Sequence, residues 1–197
     1  MTISDNVESK RIFIGIPVPR EISTRIHMLE TLVTAPTDSI RWVTGNNLHI
    51  TLLFLGNIPD TNVESVKSCL HNLEAVSEFE LSIENTGVFP QSDKPRIFWM
   101  DIVNGRDSLI SLQAKVNKSA SEYSEVKDDQ DYIPHLTIGR VGRSAKLWKF
   151  GTDEFLNAVY EPIVFKVEKF YLYMSELLPH GPKYTIIEKY DLQNVQD

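Results

Sequence analysis

Leu48-His49-Ile50-Thr51-Leu52 alternates a histidine and a threonine with aliphatic residues, and Pro134-His135-Leu136-Thr137-Ile138 does the same 86 residues later. Side chains of a strand alternate between its faces, so residues i and i+2 point the same way. In each run the imidazole and the hydroxyl therefore share one face, and the aliphatic neighbours occupy the other. A lone His-x-Thr arises by chance in many proteins and reads most simply as a satisfied polar pair at a sheet edge. Its recurrence, in two apolar runs nearly half a chain apart, leaves chance a poor explanation. The echo points to two β-α lobes related by approximate two-fold symmetry and meeting at a cleft.

Outward from these runs the sequence alternates strands and helices. Arg11 to Val18 is rich in β-branched residues and stops at Pro19, which predicts a strand. Arg20 to Thr34 carries Ile22, Ile26, Leu29 and Val33 at helical spacing before Pro36. Ile40 to Val43 is a short strand and Leu48 to Leu55 a longer one. Asp60 caps a helix to about Leu73, with Val63, Val66, Leu70 and Leu73 on one face. Phe79 to Val88 and Arg96 to Val103 are strands around the loop Phe89 to Lys94. Asn104 to Tyr123 is helical, with Leu109, Leu112, Val116 and Ala120 apolar, and Ser124 to Asp131 is a polar, acidic loop. His135 to Val141 is a strand, and Ala145 to Val159 is ambiguous. Ile163 to Met174 and Tyr184 to Tyr190 are strands joined through Pro179, His180, Gly181 and Pro182.

Composition bounds the function. The chain has 197 residues, 42% hydrophobic and 24% charged, the balance of an ordinary globular domain. No linker divides it, so residues 11–197 are expected to form one bilobal domain after a disordered lead-in over residues 1–10. No apolar run nears the roughly 20 residues that cross a bilayer, and the N-terminus lacks a secretory signal. Cys69 is the only cysteine, which excludes an internal disulfide and fits a reducing, cytoplasmic setting. The net charge of −7 argues against broad gripping of a nucleic-acid backbone. It favours recognition of one phosphate or a short terminus in a local pocket.

Two imidazoles and two hydroxyls around one small anion suit phosphoryl transfer. Imidazole acts as acid or base near neutral pH. In-line displacement at phosphorus needs a base on the nucleophile and an acid on the leaving oxygen, on opposite sides. Threonine hydroxyls can stabilise the nonbridging oxygens. The residues do not say which histidine is acid and which is base.

The sequence resembles the two-histidine (2H) phosphoesterase superfamily, and within it the RNA 2′,3′-cyclic phosphodiesterases, also called 2′-5′ RNA ligases. The resemblance runs from about Arg11 to Leu192 through RIFIGIPVP, RWVTGNNLHITLLFLG, GVFP with PRIFWMDI, PHLTIGRV, and FYLYMSEL with GPKYTIIEKYDL. It implies an α+β fold of two pseudo-symmetric antiparallel lobes with outer helices around a central cleft. It implies His49 as proton donor to the departing 3′-oxygen and His135 as proton acceptor from water, giving a 2′-phosphate. Thr51 and Thr137 would hold the phosphate, and the partner would be an RNA 3′ end or a small cyclic nucleotide met by a monomer. Arg140 matches a position that is often a phosphate-binding arginine. Strand alternation from His135 turns it away unless Gly139 bends the strand, which leaves phosphate contact and a surface ion pair both open.

The other candidates have ordinary readings. Trp42, Phe13, Phe89 and Trp99 could stack on a base, though strand aromatics are usually core. Tyr184 and Ser175 match the closing pattern and are equally explained by packing, Arg96 reads as a strand-edge residue, and His27, His71 and His180 as surface or structural. A catalytic zinc normally has three protein ligands, and neither motif carries a carboxylate or cysteine. No phosphate-cradling glycine loop is present, so no metal and no cofactor are expected. Competing functions are RNA ligation by the reverse reaction, hydrolysis of another small cyclic phosphate, and a non-enzymatic module that holds RNA ends.

Overall fold

The computed structural model describes residues 8–126, 131–142, 145, 149–179 and 181–194. Its strands are β1 (Ser9–Pro17), β2 (Ile40–Trp42), β3 (His49–Pro59), β4 (Phe79–Phe89), β5 (Ile97–Ile102), β6 (His135–Val141), β7 (Ile163–Val167), β8 (Lys169–Leu178) and β9 (Gly181–Asp191). The helices are α1 (Ile22–Glu30), α2 (Asp60–His71), α3 (Arg106–Ala120) and the short α4 (Asp153–Leu156). All paired strands run antiparallel in one sheet ordered β7-β4-β5-β6-β3-β1-β8-β9, with β2 beside β6.

That order is a two-fold pattern. The half β3-β1-β8-β9 mirrors the half β6-β5-β4-β7, and the halves join where β3 meets β6. A single residue pair, Ile50 opposite Leu136, forms the seam between those strands. Both side chains are completely buried. They sit in a core built from one face of the sheet (Ile12, Ile14, Ile16, Leu52, Phe98, Met100, Ile138) and the apolar stripes of the helices. Those stripes are Ile22, Ile26 and Leu29 in α1, Val63, Val66 and Leu70 in α2, and Leu109, Leu112, Val116 and Ala120 in α3. The opposite face of the sheet therefore carries His49, Thr51, His135 and Thr137.

Three sequence expectations change, and a fourth, the ambiguous stretch Ala145 to Val159, is resolved in part. The strand expected over Ile163 to Met174 is two strands, broken at Glu168, and β7 joins one half while β8 joins the other. Lys166, Glu168 and Lys169 interrupt the apolar residues there, but such alternation also suits one half-exposed strand; in the structure the Glu168 carbonyl accepts the Leu192 amide at 2.7 Å. Asp60 does not cap α2: it is the helix's first residue, follows Pro59, and ion-pairs with Lys10. The first strand begins at Ser9, so Ser9 and Lys10 belong to the sheet, while residues 1–7 lie outside the described residues. Within Ala145 to Val159 the described helix is only Asp153–Leu156, and residues 146–148 lie outside the described residues, as do 127–130 of the acidic loop and His180.

Truncating the seam removes methyl groups from a closed core. Ile50→Ala and Leu136→Ala should each lower unfolding free energy by about 2–5 kcal/mol, measured by urea denaturation. A loss well under that range would show that the two halves hold together without this pair.

Candidate active site

Antiparallel register converts the seam into a site. With Ile50 opposite Leu136, His49 falls beside Thr137 and Thr51 beside His135 on the open face. The histidines thus occupy one diagonal of a four-cornered cluster and the threonines the other. Diagonal residues on neighbouring strands stand roughly 7–8 Å apart, their Cβ atoms somewhat closer, a span that a phosphate group can fill. The proximity has an electrical consequence, because the charge on His135 lowers the pKa of His49.

Each imidazole is held the same way. The Nδ1 of His49 lies 2.7 Å from the Asn47 carbonyl, and the Nδ1 of His135 lies 2.7 Å from the Ile133 carbonyl. A carbonyl only accepts, so both Nδ1 atoms carry the proton and donate it. The Nε2 atoms are left with their lone pairs. The Tyr132 hydroxyl donates to the Thr51 carbonyl at 3.0 Å, linking the approach to β6 with β3.

Aromatic walls enclose both rings. His49 packs 4.6 Å from Phe13 and meets the edge of Tyr184 at 5.2 Å, with Tyr173 at 6.1 Å. His135 meets Phe89 edge-on at 5.4 Å and Trp99 at 6.2 Å. Phe89 and Trp99 stack on each other, and Trp99 lies so close over Gly87 that any Cβ there would strike its ring. Of the aromatics considered for base stacking, Phe13 is buried and stacked on Tyr173, and Trp42 packs on Phe98 away from the histidines. Phe89 and Trp99 are half-buried on the site's face. Tyr184 faces Ser175 across the β8–β9 pair, with its ring against His49.

Arg140 is on the site's face. Phe98 pairs with Gly139 and Trp99 with Thr137, so β6 bulges at Ile138. The extra residue resets the alternation, and Arg140, opposite Ile97, rejoins the side of Thr137 and His135. The strand is thus shifted at the glycine's neighbour. Among the described residues no carboxylate ion-pairs with Arg140. Arg96 precedes β5 and hydrogen-bonds through its backbone to Phe89 and Val141. His27 is exposed beside Glu30, and His71 is exposed against Tyr190. No group of three metal-binding side chains forms among the described residues.

The two halves differ at one informative position. The residue opposite His49 is Pro17, whereas the residue opposite His135 is Asp101, whose carboxylate accepts from Arg106 Nη1 at 3.0 Å. Burial pulls the His49 pKa down to about 4, against its bond to the Asn47 carbonyl, and the charges of Arg140 and His135 add to the fall. Burial also lowers His135, opposed by the Ile133 carbonyl; Arg140 lowers it further and Asp101 raises it. Asp101 and Tyr132 carry no motif, and only the strand pairing reveals them.

With this geometry in hand, comparison with known proteins decides the kinship. The model of the 2′-5′ RNA ligase superfamily matches residues 18–177. The chain belongs to that superfamily. An Aquifex aeolicus relative named RNA 2′,3′-cyclic phosphodiesterase is 30% identical over 160 residues, 77% of this chain and 81% of the relative. One from Thermotoga maritima with the same name is 26% identical over 179 residues, 90% of this chain and 92% of its own. Among solved structures, Escherichia coli LigT complexed with 3′-AMP superposes with a TM-score of 0.74 at 23% identity, covering 95% of this chain and all (100%) of that one. A Thermus thermophilus protein gives 0.74 at 24% identity, over 94% and 100%. Those two likenesses establish the superfamily's α+β fold of antiparallel halves.

The charge asymmetry has a measurable sign. In the folded protein both histidines favour the neutral form, so their stabilising contribution is present above the ordinary pKa of 6.5 and, for His49, is lost as pH falls through about 4. By NMR titration of the ring Hε1 protons, His49 should titrate near 4. Asp101→Asn, which removes the charge that raises His135, should lower the His135 pKa further and leave His49 in place. An unchanged or raised His135 value would contradict this placement of the carboxylate.

Proposed function

We propose that this protein hydrolyses the 2′,3′-cyclic phosphate at the 3′ end of an RNA to a 2′-phosphomonoester, without a metal. The observation that carries the reading is the diagonal pair of imidazoles on one face of the seam, each held through Nδ1 and with no hydrogen-bond partner at Nε2 among the described residues. A cyclic phosphate seated among the four side chains has one Nε2 on each side, as in-line displacement requires. The superfamily membership and the names of its relatives point to the same chemistry.

In this mechanism Thr51, Thr137 and Arg140 bind the nonbridging oxygens, where hydroxyl and guanidinium donors stabilise the charge that builds during displacement. His135 takes a proton from water through Nε2 as the water oxygen attacks phosphorus. Asp101, across the strand pair, favours the imidazolium that results. The bond from phosphorus to the 3′-oxygen breaks, and that oxygen takes the proton of His49. A histidine walled by Phe13, Tyr173 and Tyr184 holds a proton weakly, so His49 is a willing donor. The carbonyl bonds at both Nδ1 atoms keep each ring oriented throughout.

The test is incubation of an oligonucleotide bearing a 2′,3′-cyclic end with the protein in EDTA, with identification of the phosphomonoester. Full turnover to 2′-phosphate is expected. His49→Ala and His135→Ala should each lose about 10²–10⁴-fold in rate. The profile of kcat/KM against pH reflects the free enzyme, and both imidazoles titrate below 6.5 there. Activity should therefore be greatest on the acid side of that value and decline above it as the donor loses its proton. Undiminished rates in both alanine variants, or dependence on added metal, would refute the reading.

A further inference from the structure

Arg11, on the open face of the sheet, has no ion-pair partner among the described residues. On β1 it shares the face of Phe13 and Gly15, the face that carries His49 and Thr51 on neighbouring β3. Its guanidinium lies over the Phe54 ring, 4.7 Å from the centroid. Its Nε is buried and has no hydrogen-bond partner among the described residues, and no carboxylate there ion-pairs with it. A buried donor left unmade is costly unless a ligand completes it.

Phe54 is where it is because β3 bulges as β6 does. Gly15 pairs with Thr51 but Ile14 with Leu53, so the alternation resets at Leu52 and Phe54 returns to the face of Thr51. Phe54 follows Thr51 by three residues, as Arg140 follows Thr137. The pseudo-two-fold thus relates Phe54 to Arg140, and the cation that Arg140 supplies in one half is supplied in the other by Arg11, stacked on Phe54. Burial and, beyond it, the charge of Arg11 lower the proton affinity of Arg140, and both guanidinium groups act on the Tyr184 phenol that edges His49. A protein of net charge −7 has carboxylates to spare, yet none ion-pairs with either group among the described residues. A lone cyclic phosphate brings one negative charge, already met by two hydroxyls, two imidazoles and Arg140. The second cation calls for a second anion.

We propose that Arg11, on its Phe54 platform, binds the internucleotide phosphate adjoining the terminal ribose, so that the site takes an RNA strand of at least two nucleotides in preference to a cyclic mononucleotide. This rests on the phosphodiesterase reading for the identity of the substrate. Arg11 acts as a specificity residue: stacking on Phe54 fixes the plane of the guanidinium, whose two terminal nitrogens present donors to phosphate oxygens.

The test compares one phosphate with two. Binding of adenosine 2′-monophosphate and of adenylyl-(3′,5′)-adenosine 2′-phosphate is measured by calorimetry, alongside kcat/KM for the corresponding 2′,3′-cyclic compounds. The unaltered protein should favour the dinucleotide in both. Arg11→Gln should shrink that preference by about tenfold or more, the worth of a charge-assisted hydrogen bond, and Arg11→Lys should retain part of it and weaken less in low salt. Loss of the same factor from both ligands in Arg11→Gln, or no preference in the unaltered protein, would overturn the proposal. If no cyclic compound is turned over while the binding preference follows Arg11, the phosphate subsite stands and the phosphodiesterase reading falls.

Discussion

The structure turns on one antiparallel residue pair, Ile50 with Leu136, at the seam between two similar four-stranded halves. Strand alternation makes the seam two-sided. The aliphatic side chains bury themselves beneath it, and the residue on either side of each must emerge above. A histidine before and a threonine after each aliphatic residue, in strands of opposite direction, leaves the histidines diagonal across the seam. A parallel pairing would have put the two imidazoles side by side, leaving one flank of a bound phosphate without an acid or base. The chemistry and the core thus share one constraint, and a one-residue slip would exchange the buried and open faces of a strand.

Around that fixed centre the halves are free to differ, and their differences give a symmetric scaffold a direction. Pro17 opposite His49 and Asp101 opposite His135 set unlike electrostatic environments for like rings. A carboxylate near one imidazole favours the state in which that ring has gained a proton. An aromatic wall around the other favours the state in which it has lost one. Water attack and departure of the ribose oxygen need those opposite tendencies at the same moment.

Much of this was legible in the sequence, for physical reasons. The period-two pattern of His49-Ile50-Thr51 and its echo fixed the face of each catalytic candidate, and the helical stripes read directly as buried faces. What escaped depended on pairing between distant segments. Glu168 divides a stretch whose two parts serve opposite halves, and the charges of Lys166, Glu168 and Lys169 read equally well as the exposed side of a single strand. Bulges at Leu52 and Ile138 put Phe54 and Arg140 on the open face, against simple counting. For Arg140 the neighbouring glycine hinted at such a bend; for Phe54 no such signal exists. Asp101 and Arg11 acquire meaning only from the strand opposite, which the sequence does not name.

The claim beneath the whole account is that both imidazoles engage one phosphorus from opposite sides. A crystal structure of the complex with uridine vanadate, whose five-coordinate vanadium imitates the displacement, tests it most directly. The account predicts His49 Nε2 and His135 Nε2 each within about 3.2 Å of a different apical oxygen, with both threonine hydroxyls on the equatorial oxygens. A complex in which only one histidine touches the vanadate, or in which both touch the same oxygen, would contradict it.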